Sequence, residues 1–299
     1  MSTAERLGGG STGVASRPAA WAGPVRSWTR LLRSELALVF LRLRNLVLLA
    51  VLVAVPVVLG LVLKFSSPQP GGGSGDVPAF LRQVTGNGVF LAFLALVVEL
   101  TLILPLVIAV VAGDSIAGEA GRGTLRYLLA VPAGRTRLLG IKFAAVCAFC
   151  LCACLLVAAV AVALGAVLFP VRPVALLSGS TIPLAAGLLR LLFVVLYVAA
   201  GMAALGAIGL AISTFTEHAI GAIAAVLVIA VASEVADNVS QLAAVHPYLP
   251  THWWLSFDAL LRSPVDWAEL GHGLLSFGVY AVIFCSAAWA RFTTADVTS

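Results

Sequence analysis

Apolar residues fall into six long blocks along this chain, separated by shorter polar stretches. The blocks are Leu46 to Leu63, Val89 to Ala112, Phe143 to Phe169, about Leu188 to Ser213, Ala219 to Val235, and Gly273 to Ala290. Each approaches or exceeds the roughly twenty apolar residues that carry an α-helix across a bilayer. Their hydrophobicity is continuous rather than alternating, so they read as helices and not as barrel strands. Thr214–His218 is too short for anything but a turn, so the fourth and fifth spans form a tight hairpin. Pro56 and Pro105 each remove a backbone donor inside a span and predict kinks. The expected fold is all-α, a polytopic membrane protein with six transmembrane helices.

The polar stretches have structure of their own. Between Trp28 and Arg44 the apolar positions Trp28, Leu31, Leu32, Leu36, Val39, Phe40 and Leu43 recur at helical spacing. Arg26, Arg30, Arg33, Arg42 and Arg44 fall mainly on the other side. That pattern predicts an amphipathic helix lying in the headgroup layer, its arginines beside anionic lipid. Residues 1–25 are rich in Gly, Ser and Ala and read as a disordered tail, with no apolar core and cleavage site of a secretory signal. Residues 26–299 read as one transmembrane domain. Between Asp237 and His272 a loop holds the stretch His246–Trp254, whose two prolines with Tyr248, Trp253 and Trp254 suit short helices dipping into the membrane interface.

Composition agrees: 61% of residues are hydrophobic and 10% charged, too little polar surface for a water-soluble domain. The net charge of +5 points to membrane topology rather than to nucleic acid, because most arginines sit near span ends. With the N-terminus inside, one side holds Arg26, Arg30, Arg33, Arg42, Arg44, Arg122, Arg126, Arg135, Arg137, Lys142 and Arg291. The other holds Lys64, Arg82, Arg172, Arg190 and Arg262. The bias predicts both termini in the cytoplasm; the expected location is a plasma membrane, a bacterial inner membrane.

Candidate chemistry is sparse. The chain has no H-E-x-x-H and no Walker A motif, Gly179-Ser180 has no G-x-S-x-G context, and neither of the two lysines follows a glycine. It is therefore not expected to hydrolyse ATP itself. Cys147, Cys150, Cys152 and Cys154 crowd one span and read as small apolar filler; no metal is assigned to them or to His246 and His252. Glu99 lies near the middle of the second span, and a carboxyl there marks a pathway, an interface or a structural hydrogen bond. Glu234 and Asp237 end the fifth span. Arg190 snorkels or pairs with Glu99 or Glu234. Ala199, Ala203, Ala207 and Ala211 form a small-residue ladder suited to helix packing.

The thirty residues from Gly113 to Lys142 separate the second and third spans. Thr124 can cap a short helix with Leu125, Leu128 and Leu129 on one apolar edge, and Pro132 helps stop it. Asp114, Glu119, Gly123-Thr124-Leu125, Leu128-Leu129, Pro132, Arg135 and Lys142 resemble the pattern of permease subunits of ATP-binding-cassette transporters of the type-2 exporter class. The six-span layout, the interfacial helix and the outer loop extend the resemblance over most of the chain.

The resemblance implies a permease that pairs with a second copy or a paralogue and binds two copies of a separate ABC ATPase. The loop would supply a coupling helix to that ATPase through Asp114, Glu119, Arg122, Gly123, Thr124, Leu125, Arg126, Leu128, Leu129, Pro132 and Arg135. ATP and Mg would be bound by the partner, with no cofactor in this chain. The second and fifth spans would line the interface or pathway, placing Glu99 and Glu234 there, and transport would be export; a wide apolar pathway would suit a lipid, an amphipathic drug or a peptide, with a polar polymer also open. Two other classes stay open at this point: an ATP-independent proton- or ion-coupled carrier, and a membrane enzyme or assembly factor.

Overall fold

The computed structural model describes residues 24–65, 87–121, 134–175 and 179–294. Its helices are α1 (Pro24–Leu41), α2 (Leu43–Phe65), α3 (Phe90–Thr101), α4 (Ile103–Gly121), α5 (Arg135–Leu168), α6 (Leu184–Phe215), α7 (Ala219–Asp237) and α8 (Trp267–Thr294). Among the described residues, α2, α4, α5, α6, α7 and α8 are long and apolar enough to cross a membrane, and α3 extends α4. The protein is an all-α, multi-pass membrane protein, as its hydrophobic pattern predicts. The exception is a ribbon of two residues per strand, β1 (Val174–Ala175) with β2 (Thr181–Ile182), which the pattern does not reveal.

The second apolar block is broken rather than continuous. α3 stops at Thr101, and Leu102 adopts φ −150° and ψ −46°, outside the helical region. Pro105 explains the position: it has no N–H to give the Thr101 carbonyl, and its ring crowds that carbonyl. Pro56, by contrast, sits inside an uninterrupted α2.

The helices are buried to different degrees. In α4 and α6, 72% of the spanning stretch is buried, against 17% in α2 and α8 and 22% in α7. α4 and α6 thus form the centre, while α2, α7 and α8 present broad apolar faces outward. The core between them is filled by Leu96, Leu104, Ile108, Phe149, Met202, Leu205 and Ile208. Close approach at the centre depends on small residues: Ala207 and Ala211 of the α6 ladder are buried, and a β-carbon at Gly209 would press on Ala112 of α4.

One face of the bundle carries the described chain ends, the ends of α4 and α5 that bound the Gly113–Lys142 loop, and the turn between α6 and α7. The opposite face carries the β-ribbon and the long connection from α7 to α8. At that opposite face Gly88 and Gly165 pack backbone to backbone, so a β-carbon on either would overlap the other's main chain. Asn87 reinforces the contact, its Nδ2 donating to the carbonyls of Arg172 (2.8 Å) and Pro173 (3.2 Å).

The α7–α8 connection is not a free loop. It forms short 3₁₀ turns at Ser240–Leu242, His246–Tyr248 and Ser256–Leu261, and buries Trp254, Phe257 and Leu260. Side chains from three spans hold it down. Tyr197 donates to the Trp253 carbonyl at 2.8 Å, the Ser233 and Thr251 hydroxyls bond at 2.8 Å, and Tyr280 donates to the Tyr248 carbonyl. Arg190 completes the set through the carbonyls of Leu260 (2.8 Å) and Arg262 (3.0 Å) rather than pairing with Glu99 or Glu234. The expected short helices are thus present, while α8 begins at Trp267, six residues before the apolar block.

Candidate functional site

The Gly113–Lys142 loop leaves the bundle through α4 and returns through α5, and charged side chains crowd both ends. Asp114 is 3% exposed and receives Arg42 Nη1 and Arg44 Nη2, each at 2.8 Å from Oδ2. One turn further, Glu119 Oε1 meets Lys142 Nζ at 2.7 Å, and the same ammonium lies 3.4 Å from Glu35 Oε1. Glu119, Lys142 and Glu35 are all buried. Charges with so little water need partners, and here each carboxylate faces a cation from another helix.

The geometry follows from the chain. Glu119 and Lys142 stand at the two ends of the loop, so their pair closes its base. Glu35 comes from α1, while Arg42 and Arg44 straddle the α1–α2 corner. Asn45 fixes that corner, its Nδ2 donating to the Val39 carbonyl at 2.7 Å. Phe40 packs on Phe149 of α5 with ring centroids 5.6 Å apart. A cavity of about 20 Å³ remains among Glu35, Asn45, Glu119 and Lys142. The helix read as lying on the membrane surface is therefore bolted to the loop base by its polar side. Arg30 and Arg33 remain exposed on it, whereas Arg42 and Arg44 are committed to Asp114.

A second link ties the loop base to the α6–α7 hairpin. Ser213 Oγ accepts from the amides of Ile116 (3.1 Å) and Ala117 (2.8 Å) and donates to the Gly113 carbonyl (2.9 Å). The hydroxyl of α6 thus enters the hydrogen-bond ladder of α4 between Gly113 and Ala117, a local way to bend or pin a helix. Gly113 lies against Ile223 of α7, where a β-carbon would be tight.

Of the residues expected to couple to an ATPase, Asp114 and Glu119 sit in this cluster. Arg122, Gly123, Thr124, Leu125, Arg126, Leu128, Leu129 and Pro132 lie outside the described residues, as do the side chains of Arg135 and Trp28. Glu99 is fully buried in α3, within electrostatic reach of Cys154 on α5. Neither of its oxygens has a hydrogen-bond partner among the described residues. Glu234 is half-buried and lines a different place, a cleft of about 40 Å³ with Leu100, Thr101, Asp237, Thr251 and His252. Glu99 is not among its walls, so the two carboxylates do not share a pocket. His252 Nδ1 is 2.6 Å from Asp237 Oδ1, with the His246 ring centroid 6.0 Å from that of His252.

Sequence reasoning passed over Glu35, Asn45 and Ser213. A signal existed for Glu35: it is the one acidic residue in the basic stretch from Arg26 to Arg44. Ser213 gave none, being one hydroxyl in an apolar run.

Six spans, a polar helix before the first and a charged loop base after the second frame the comparison with known families. Residues 38–233 match the family model described as ABC-2 family transporter protein. The chain belongs to the ABC-2 transporter family. No curated protein matches it in sequence. The matched stretch begins inside α1 and ends near the end of α7, so it contains the Gly113–Lys142 loop and every member of the ion-pair cluster except Glu35. The protein is accordingly a membrane permease of the kind that works with ABC ATPases.

Proposed function

We propose that this permease is the membrane half of an ATP-driven exporter, in which the Gly113–Lys142 loop receives the ATPase movement. Two permease chains, identical or related, would pair and bind two ATPase subunits, which hold the ATP and Mg. The face carrying the loop and the described chain ends would be cytoplasmic, consistent with its excess of arginine. Arg122, Gly123, Thr124, Leu125, Arg126, Leu128, Leu129, Pro132 and Arg135 would form the docking surface on the ATPase. The substrate would be amphipathic, a drug or a lipid.

The ion-pair cluster at the loop base carries this reading. Glu119 and Lys142 bracket the loop, and Asp114 stands just before it. Asp114 is held by Arg42 and Arg44 at the α1–α2 corner, Lys142 by Glu35 of α1, and Glu119 by Lys142. A push on the loop would therefore reach α2 through the Asp114 charge pairs and α6 through Ser213. Asp114 and Glu119 would act on this reading as positioning residues that transmit the push, with contact to the ATPase left to the loop between them.

Co-purification with the ATPase encoded nearest to this gene tests the proposal. Native permease should bring down an active ATPase, and Arg126→Glu with Leu128→Asp should release it while the permease stays folded. Association indifferent to the double change would refute the docking site. Absence of any ATPase partner, with transport by the permease alone, would instead make it an ATP-independent carrier.

A further inference from the structure

Beyond the loop base, a cavity lies on the opposite half of the bundle, between two spans. Its volume is about 360 Å³, and its walls are Phe193, Leu196 and Tyr197 of α6, Leu260 of the re-entrant 3₁₀ turn, and Trp267, Leu270, Gly271 and Leu274 of α8. That volume falls in the range of small-ligand sites. The groove differs from the flat apolar flanks elsewhere because the bundle gives it two helical walls and an end wall. Its one hydroxyl, that of Tyr197, is used by the Trp253 carbonyl. No charged group lines the groove, and its other side-chain donor is the indole N–H of Trp267.

Three observations identify the occupant. Both walls are membrane-spanning helices, so hydrocarbon is what reaches the groove. Trp267 opens α8 and is exposed, marking the level of the membrane–water interface. Arg190 sits on α6 one turn before Phe193, and its Nη1 reaches the Leu260 carbonyl of the end wall (2.8 Å) and the Arg262 carbonyl beyond it (3.0 Å). Among the described residues no carboxylate lies within ion-pair distance of Arg190, whereas neighbouring Arg262 is committed to Asp258 at 2.7 Å. Bonded to carbonyls and to no carboxylate among the described residues, this guanidinium beside the end wall of an apolar groove complements a phosphate ester attached to an acyl chain. Lysine and arginine pockets between spanning helices bind headgroups on the same principle.

We propose that the α6–α8 groove holds an acyl chain of a bilayer phospholipid, with its phosphate at Arg190. The bound lipid seals the gap that Gly271 leaves, since a β-carbon there would meet nothing within 4 Å. The site depends on membrane embedding alone and stands whether or not the loop docks an ATPase.

Photolabelling tests it. The full-length permease is reconstituted in phosphatidylcholine vesicles doped with phosphatidylethanolamine carrying a diazirine in one acyl chain, and in parallel with the matching diazirine diacylglycerol. Adducts should map to α6 and α8 peptides, with phosphatidylethanolamine favoured over diacylglycerol about fivefold, the factor given by about 1 kcal/mol per arginine near lipid phosphate. Gly271→Phe and, from the opposite wall, Leu196→Trp should each lower groove labelling about tenfold, equivalent to about 1.4 kcal/mol. Gly278→Phe, at another open glycine of α8 outside the groove, should leave labelling unchanged. Arg190→Gln should erase the preference for the phosphate-bearing probe, and Arg190→Lys should keep it. Labelling spread evenly over all spans would overturn the proposal. So would adducts elsewhere with none at the groove, which would mean that protein covers it. Equal labelling by both probes in the native protein would overturn the phosphate contact.

Discussion

Asp114 holds two arginines with one oxygen, so losing its charge strands two cations at once. Removing it leaves Arg42 and Arg44 facing each other at 28% and 42% side-chain exposure, wet enough to moderate the penalty but not to cancel it. Asp114→Asn should cost about 1–3 kcal/mol of stability by denaturation in detergent, and restoring neutrality with Arg42→Gln should recover part of it in a double-mutant cycle. Lys142 is drier, at 3% exposure beside two carboxylates, so Lys142→Met should cost more, about 3–5 kcal/mol. Glu99 has the opposite sign. A carboxyl held dry with no donor facing it destabilises the fold, so Glu99→Gln or Glu99→Met should raise the melting temperature. If either change also abolishes transport, Glu99 was kept for function; an unchanged or lower melting temperature would contradict the burial argument. Position was legible for Glu99 and Asp114, because a charge in or beside an apolar run stands out. Partners were not, because pairing Arg42 and Arg44 with Asp114 joins residues some seventy positions apart.

Elements record where local rules won and where packing overruled them. Span boundaries were readable because a bilayer enforces length and polarity together. α2 and α7 fall within a few residues of the apolar blocks, and α5 and α8 run further because helices continue past the hydrocarbon into the polar layer. The break between α3 and α4 was readable from Pro105, although a proline at Pro56 left α2 continuous. The backbone contact of Gly88 with Gly165 was not readable, since glycine is common in this chain and only the meeting of α5 with the turn before α3 gives those two a purpose. Gly165→Val should destabilise the permease by about 3 kcal/mol, the upper end of overpacking costs, and lower its yield of monodisperse protein. Ser213→Ala should cost about 1–3 kcal/mol, because it strips a partner from buried backbone groups of α4. Hydrogen exchange at Ile116 and Ala117 should rise more than at α5, which separates this pin from general loosening.

Across the whole molecule, buried α4 and α6 make a stiff centre while α2, α7 and α8 keep apolar faces for lipid or for another copy. The loop that would meet an ATPase is anchored to that centre at both ends, through Lys142–Glu119 and through Ser213. Weakening the anchors should therefore reduce ATPase stimulation more than ATPase binding. Glu35→Gln, which removes the longer of the two Lys142 contacts, is expected to leave co-purification intact and lower stimulated turnover. Equal loss of both would assign Glu35 to docking. Taken alone, the sequence determined the class of solvent, the number and approximate ends of the spans, the amphipathic helix before them and the family pattern around the loop. These depend on residues close together in the chain, where hydrophobic runs and helical spacing act directly. Tertiary structure alone decided which charge meets which, which helices are central, how the α7–α8 connection is tied down, and that a groove opens between α6 and α8. Those follow from contacts between distant segments, which composition and periodicity do not encode.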